Sequence, residues 1–381
     1  MGRGMNRVKK KVLKVAAVAV IVILLVFAAG CSGDLLGYIK YLIQGGVIDL
    51  PRTGQTTCYD VDGNVIDGSG TGQDGDLQMG VAWPGPRFTD NDNGTITDNL
   101  TGLMWEQAPS WDQVTWIAAL TYADDLDLGG HDDWRLPNVN ELESLVNAGV
   151  AIPGAWLNET EQGFDSVREW QYYSSTDWEP GEENVWVVNL FDGRVIGYPP
   201  LTGSFVWAVR GGQAGGTVSL PRTGQTVSDA TGDDGDLKMG VAWPVPRFMD
   251  NGDGTITDTL TGLMWEQAPS VTQVNWIAAL TYAIDLDLGG HRDWRLPNRK
   301  ELRSLIHYGK ADTVAWLEGL DQGFSSGSLK TGSDNYYYWS STTCAPTVSE
   351  AWCVRMYDGT MQPYLKNSNT DRFVLAVRGG E

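Results

Sequence analysis

Hydrophobic residues in this chain follow two rhythms after an initial apolar run from Val15 to Ala29. Short stretches with strand-like patterning are set between Gly, Asp and Asn, and a few windows carry helical spacing. Arg87 to Asp90 and Thr95 to Asp98 flank the turn Asn91 to Gly94, which predicts a β-hairpin, and Asn251 to Gly254 repeats it. Gly102 to Glu106 predicts the next strand. Ser110 with Gln113, and Ser270 with Gln273, have capping-box spacing for a first helix ending near Gly129 and Gly289. Val114, Trp116, Ile117 and Leu120 spread over a wide arc, so that helix is expected to be largely covered. A second helix is predicted after Asn138, with Glu141 three positions on and Leu142, Leu145 and Val146 on one face. Three strand-like runs close the pattern: Gln171 to Ser175, Val185 to Leu190 and Phe205 to Arg210, matched later by Tyr336 to Ser341, Ala351 to Tyr357 and Phe373 to Arg378.

The pattern occurs twice because the chain is a duplication. The fourteen residues GGHDDWRLPNVNEL at 129–142 return at 289–302 with three positions changed. Trp134, Arg135, Pro137, Asn138 and Glu141, with Trp294, Arg295, Pro297, Asn298 and Glu301, each have a packing or capping task, so the motif is expected to be framework. Trp134 and Leu136 should face the core, and Arg135 should be paired with a carboxylate or carbonyls. The boundaries follow: 1–31 signal, 32–49 tether, 50–212 first domain, 213–219 Gly-rich linker, 220–381 second domain. Both copies open with LPRTGQT, which is internal and repeated, so it is no sortase signal. Copy one carries ten extra residues around Cys58 to Gly72.

Charge narrows the partners. Six Lys and Arg lie in the first 30 residues, leaving 21 bases against 48 acids, or −27, for residues 31–381. That field disfavours nucleic acid and sulfated polysaccharide and suits a neutral glycan or a protein surface. Arg3, Arg7 and Lys9 to Lys11 followed by Val15 to Ala29 and Phe27-Ala28-Ala29-Gly30-Cys31 resemble a bacterial lipoprotein signal, with Cys31 lipidated. An uncleaved membrane anchor is the alternative. Ser32 after the Cys points to the outer membrane, at the cell surface or its periplasmic face. Export permits disulfides, and a Cys344–Cys353 bridge is expected to pin a loop of copy two. Cys58 is left as a free thiol or an intermolecular bridge.

Candidate chemistry is sparse. His131 and His291 occupy the same loop in the two copies and His307 stands alone, positions more typical of structural histidines than of catalytic or metal-binding ones. Ser174 or Ser175 could be grouped with His131 and Asp133 as a hydrolase triad, but no nucleophile elbow surrounds them. The acidic hairpin turn has the wrong residues at the first and last places of an EF-hand loop. Glu179-Pro180-Gly181 with Glu182, Glu183 and Asn184 resembles the calcium- and sugar-binding loop of C-type lectins; a solvated acidic loop is the other reading. Trp170, Trp178, Tyr336 and Trp339 are candidates for stacking on sugar faces, or for local packing. Trp83, Trp105, Trp116, Trp134, Trp156 and Trp186, each with a Trp partner in copy two, are expected to be core.

GTITDNLTGLMWEQ, WRLPN with EL, YYSST and AVRGG together resemble the family named for the C-terminal domain of a Legionella collagen-like adhesin, over about residues 50–212 and 220–380. The resemblance implies an α+β, C-type-lectin-like fold in each copy: two helices, a small antiparallel sheet and long loops, related to the formylglycine-generating and sulfatase-modifying group. It implies a non-catalytic adhesion module for a glycan or surface ligand, needing no cofactor unless calcium. A structural envelope lipoprotein is the second reading, and an exported enzyme of the formylglycine-generating kind, which would need a reactive cysteine pair, the third.

Overall fold

The computed structural model describes residues 46–178, 184–212, 215–330, 336–368 and 372–380. Cys31 and the signal lie outside the described residues, as do Glu179 and Glu182. Within them the chain is mixed α/β, with eight short helices and predominantly antiparallel sheets arranged as two repeated domains. Among the described residues no helix is long and apolar enough to cross a membrane.

In copy one, β1 (Cys58–Tyr59) and β2 (Val65–Ile66) form a small hairpin, and α1 (Asp74–Leu77) follows. The predicted hairpin is β3 (Phe88–Asp90) with β4 (Thr95–Asp98), in register Phe88 to Asp98, and β5 (Leu103–Glu106) continues it. Next come α2 (Trp116–Asp124), α3 (Val139–Ser144), α4 (Pro153–Leu157), β6 (Gln171–Asp177), β7 (Val185–Asn189), β8 (Val195–Tyr198) and β9 (Val209–Gly211). Copy two repeats this without the first hairpin: α5 (Asp234–Leu237), β10 (Phe248–Asp250), β11 (Thr255–Asp258), β12 (Met264–Glu266), α6 (Trp276–Ile284), α7 (Arg299–Ser304), α8 (Thr313–Leu317), β13 (Tyr337–Thr343), β14 (Glu350–Val354), β15 (Met361–Leu365), β16 (Arg372–Phe373) and β17 (Val377–Arg378).

Several expectations need correction. The first helix starts at Trp116, not near Ser110, whose hydroxyl accepts from the Asp112 amide at 3.3 Å instead. Its start is set by burial of Trp116, whose Nε1 donates to the Ser174 carbonyl at 2.8 Å. The run Phe205 to Arg210 is not one strand. Phe205 bridges Tyr172, and the chain then changes sheet so that β9 pairs with β5. β8 and β15 were not predicted; both have half-exposed patterns, and they meet at Met361 and Val195.

That contact joins the copies into one seven-stranded sheet, ordered β16-β13-β14-β15-β8-β7-β6. Strand alternation sends Tyr172, Trp186 and Val188 to a core shared by both copies, and Tyr173, Val185 and Val187 to a separate cluster under α2. Copy two is split likewise, and this overturns the expected disulfide. Cys344 enters the shared core and Cys353 the cluster under α6, on the other face of the sheet, so both are buried free thiols. Cys58 is also free and only 4% exposed, which closes off an intermolecular bridge.

The motif that the duplication keeps is the hub of each copy. The Arg135 guanidinium donates to both Glu141 carboxylate oxygens at 2.7 and 2.6 Å and to the Gly211 carbonyl at 3.3 Å. Glu141 also accepts from the Asn138 amide at 2.9 Å, while the Asn138 side chain accepts from the Glu141 amide at 3.0 Å, completing the capping box. Arg295, Glu301, Asn298 and Gly379 repeat the arrangement. One residue pair therefore fixes a helix start and the closing strand together.

The segments that precede each domain bridge the two copies: the Ala148 amide donates to the Thr53 carbonyl and the Tyr308 amide to the Thr223 carbonyl within each copy, and further bonds reach across. Asp74, at the start of α1, accepts from Thr53 of its own arm at 2.7 Å and from Thr342 of copy two at 2.7 Å. Gln55 exchanges two bonds of 2.8 Å with the Thr343 backbone, and Asn298 donates to the Met79 carbonyl at 3.4 Å. The reverse set joins Asp234 to Thr223 and Thr176, Gln225 to the Asp177 backbone, and Asn138 to the Met239 carbonyl. Val47 and Ile48 dock on Leu260, and Val218 on Leu100. The extra hairpin of copy one lies against copy two as well, where Lys366 donates to the Tyr59 and Asp60 carbonyls.

Candidate functional site

The aromatic candidates do not form one site. Trp339 is fully buried, its Nε1 donating to the Val274 carbonyl at 2.8 Å, so it is core and offers no face to a sugar. Trp178 stacks on Trp186 at 4.3 Å and 18°, and Trp186 meets Tyr308 of copy two edge-on at 5.2 Å. A Cβ on Gly197 would fall 2.2 Å from the Trp178 ring, so a glycine is required beneath it. Asn184 supplies its carbonyl to the Trp178 amide. Trp170, 50% exposed, sits before β6 while Trp178 follows it, and Tyr336 packs edge-on against Phe373 in copy two at 5.5 Å.

Nor does the triad assemble. Asp133 is held by Arg210 at 2.6 Å, and Ser174 is buried and donates to the Trp186 carbonyl. His131 pairs with Leu128 through its backbone, and His291 with Leu288. Among the described residues no group of three or more His, Cys, Asp and Glu is placed to hold a metal.

An open cleft does exist in copy one, between its arm and its body. It holds about 540 Å³, within the range of small-ligand sites, and is lined by Arg52, Gln55, Gln78, Trp83, Arg87, Asn147, Trp156, Glu161 and Gln162 among others. Trp83 and Trp156 form its aromatic wall, with ring centroids 5.7 Å apart and planes tilted by 39°. Both are half-buried. Trp83 is fixed by its Nε1 bond to the Arg52 carbonyl at 2.9 Å, and the Arg87 guanidinium lies 4.2 Å from its ring centroid. Arg87 is anchored in turn to Asp98 and to the Ser144 carbonyl. The rings are thus held before any ligand arrives. Around them stand Glu161 and Gln162 with Asn147 and Gln78, groups that accept and donate hydrogen bonds without a concentrated charge.

Copy two has the same walls but a different filling. Trp243 and Trp316 lie 5.5 Å apart at 38°, and Arg247 covers Trp243 at 4.3 Å. His307, the counterpart of Asn147, is wedged edge-on against both rings at 4.9 and 4.7 Å. Its burial lowers the imidazole pKa to about 4, so it is neutral and acts as an aromatic plug.

The model for the Lcl C-terminal domain matches residues 94–210 and 254–378, one match in each copy. The chain belongs to the Lcl C-terminal domain family. Among curated proteins, none matches it. Each matched segment starts within a hairpin turn and ends in the closing strand, so the bridging arms lie outside it. The cleft straddles that limit: Asn147, Trp156, Glu161 and Gln162 belong to the Lcl C-terminal domain, whereas Arg52, Gln55, Gln78, Trp83 and Arg87 precede it.

Trp83 and Trp156 were expected to be core because both recur in copy two. Recurrence marks a shared wall equally well. Asn147 and His307 differ between the copies, but so do most of their neighbours, from Ala148 and Tyr308 to Gly154 and Val314, so the sequence carried no distinct signal for the cleft.

Proposed function

We propose that this protein is an exported, lipid-anchored binding and adhesion protein whose two Lcl C-terminal domains have C-type-lectin-like folds, and that copy one takes a neutral saccharide in the Trp83–Trp156 cleft. The cleft is the observation that carries this reading. Sugar rings present apolar C–H faces to tilted aromatic walls and hydroxyls to amide and carboxylate rims, and both are provided here. The net charge of −27 beyond residue 30 argues against sulfated or phosphorylated ligands. Cys31 would hold the protein to the outer membrane, and no catalytic step is assigned to it.

Glycan-array binding by the purified protein, with and without calcium, tests the reading. Binding of neutral glycans that falls at least ten-fold in Glu161→Ala with Gln162→Ala would support it. These exposed or half-exposed side chains lie off the core, so the loss should come without a drop in thermal stability. Background signal in both calcium conditions would sink the saccharide reading and leave a structural envelope lipoprotein as the account.

A further inference from the structure

Two of the three positions that differ within the duplicated fourteen-residue motif lie on the second helix, where Val139 and Asn140 become Arg299 and Lys300. A third change, Glu143 to Arg303, follows one turn later. Helix α3 of copy one therefore presents a carboxylate where α7 of copy two presents cations, and the two helices line one cavity at the junction of the copies.

Arg299, Lys300 and Arg303 are 0%, 6% and 6% exposed. Among the described residues one carboxylate bonds to them: Glu143 accepts from Arg299 at 3.2 Å. Arg299 also donates to the Gly193 carbonyl at 2.7 Å and lies over Trp352, yet its Nε and Nη1 have no hydrogen-bond partner. Arg303 donates to the Tyr308 hydroxyl, while its Nε has none. Lys300 Nζ is buried with no hydrogen-bond partner among the described residues. The other charges near Lys300, Arg87 and Asp98, are already paired with each other. Among the described residues, three buried cations face one bonded carboxylate, an arrangement that is costly without a further counter-charge.

Lys300 and Arg303 both line a cavity of about 50 Å³, shared with Asn140, Glu143 and Ser144 of copy one and Trp243 and Ile306 of copy two. The Asn140 amide is committed to the Pro221 carbonyl at 3.2 Å. The space is enough for a small ion or one or two waters and too small for a sugar or an organic phosphate. We propose that this cavity binds a small monovalent inorganic anion of halide size, between the Lys300 ammonium and the Arg303 guanidinium. Burial, with the nearby Arg87 and Arg299 charges, lowers the Lys300 pKa to about 8, the direction expected for an ammonium that lacks a counter-ion. An anion placed there would offset the charge excess and lock the two copies together. This inference is independent of the saccharide reading.

Bromide is the probe. Crystals of the full chain soaked in bromide should give an anomalous peak in the cavity beside Lys300. In solution, raising bromide at constant ionic strength against a bulky sulfonate should raise the melting temperature saturably. Lys300→Met should weaken that bromide dependence at least ten-fold, and Glu143→Gln, which removes the competing carboxylate, should strengthen it several-fold. A bromide map with no peak in the cavity overturns the proposal whatever the variants do, and so does an unchanged bromide dependence in Lys300→Met. If Lys300→Met does not fold, the wild-type map alone decides.

Discussion

At the scale of single residues, Asp74 and Asp234 are the most consequential polar groups that the pattern of apolar positions could not reveal. Each carboxyl is buried between hydroxyls of its own arm and of the other copy, and burial pushes their pKa values up to about 6 and about 7. A carboxyl raised in the folded state contributes stability that is full below about pH 4, its unfolded value, and is lost as pH rises through 6 to 7. Each shift corresponds to roughly 3–4 kcal/mol over that window. Asp74→Asn with Asp234→Asn should therefore flatten the decline in stability between pH 4 and pH 7, measured by urea unfolding across that range. An undiminished slope in the double variant would show that other groups carry it. Glu106, held by Tyr122 at 2.6 Å and raised to about 7, contributes in the same direction and leaves a residual slope.

Helices and strands here are short, so their stability comes from what pins them. Helix α3 has six residues, too few to persist by propensity. The Arg135–Glu141 pair and the Asn138 cap hold it to the closing strand. Removing one partner of such a buried pair costs about 3–5 kcal/mol, because the other charge is left without a counter-ion. Glu141→Ala should lower stability by that amount, whereas Asp133→Ala, which breaks the exposed pair with Arg210, should cost under about 1 kcal/mol. Chemical denaturation of the two variants side by side checks the contrast. Most of this element was legible: the Asn and Glu spacing gave the cap, and Arg135 between two core residues required a partner. Ser110 and Gln113 satisfy a local rule for the start of α2 that the burial of Trp116 overrides. β8 and β15 gave no periodic signal, since each is covered on only part of one face.

For the whole molecule, the bridging of the two copies by the arms matters most. At least four hydrogen bonds join each arm to the other copy, at about 1 kcal/mol apiece, in addition to the shared apolar core. Cleavage of the chain between residues 212 and 215 should thus leave the two halves associated, eluting together on gel filtration at the size of the intact protein. The intact chain should unfold in one calorimetric transition with matching van't Hoff and calorimetric enthalpies. Separate elution of the halves, or two transitions, would mean that the copies are independent. The same arrangement completes the cleft of copy one, whose wall comes partly from an arm outside the Lcl C-terminal domain.

The sequence by itself determined the duplication, the mixed α/β class, the family, the hairpin, the capping box and the charge that disfavours acidic partners. These are local or cumulative properties, written in spacing and composition. Only the tertiary structure decided that each LPRTGQT arm touches both bodies, because those contacts join residues far apart in the chain that no local pattern links. It alone placed Cys344 and Cys353 on opposite faces of one sheet, since a bulge and a short loop decide which way each thiol points. It alone separated Trp339 in the core from Trp83 and Trp156 in a cleft. Ring chemistry is the same in both places, and only the packing around a ring determines whether a face remains for a ligand.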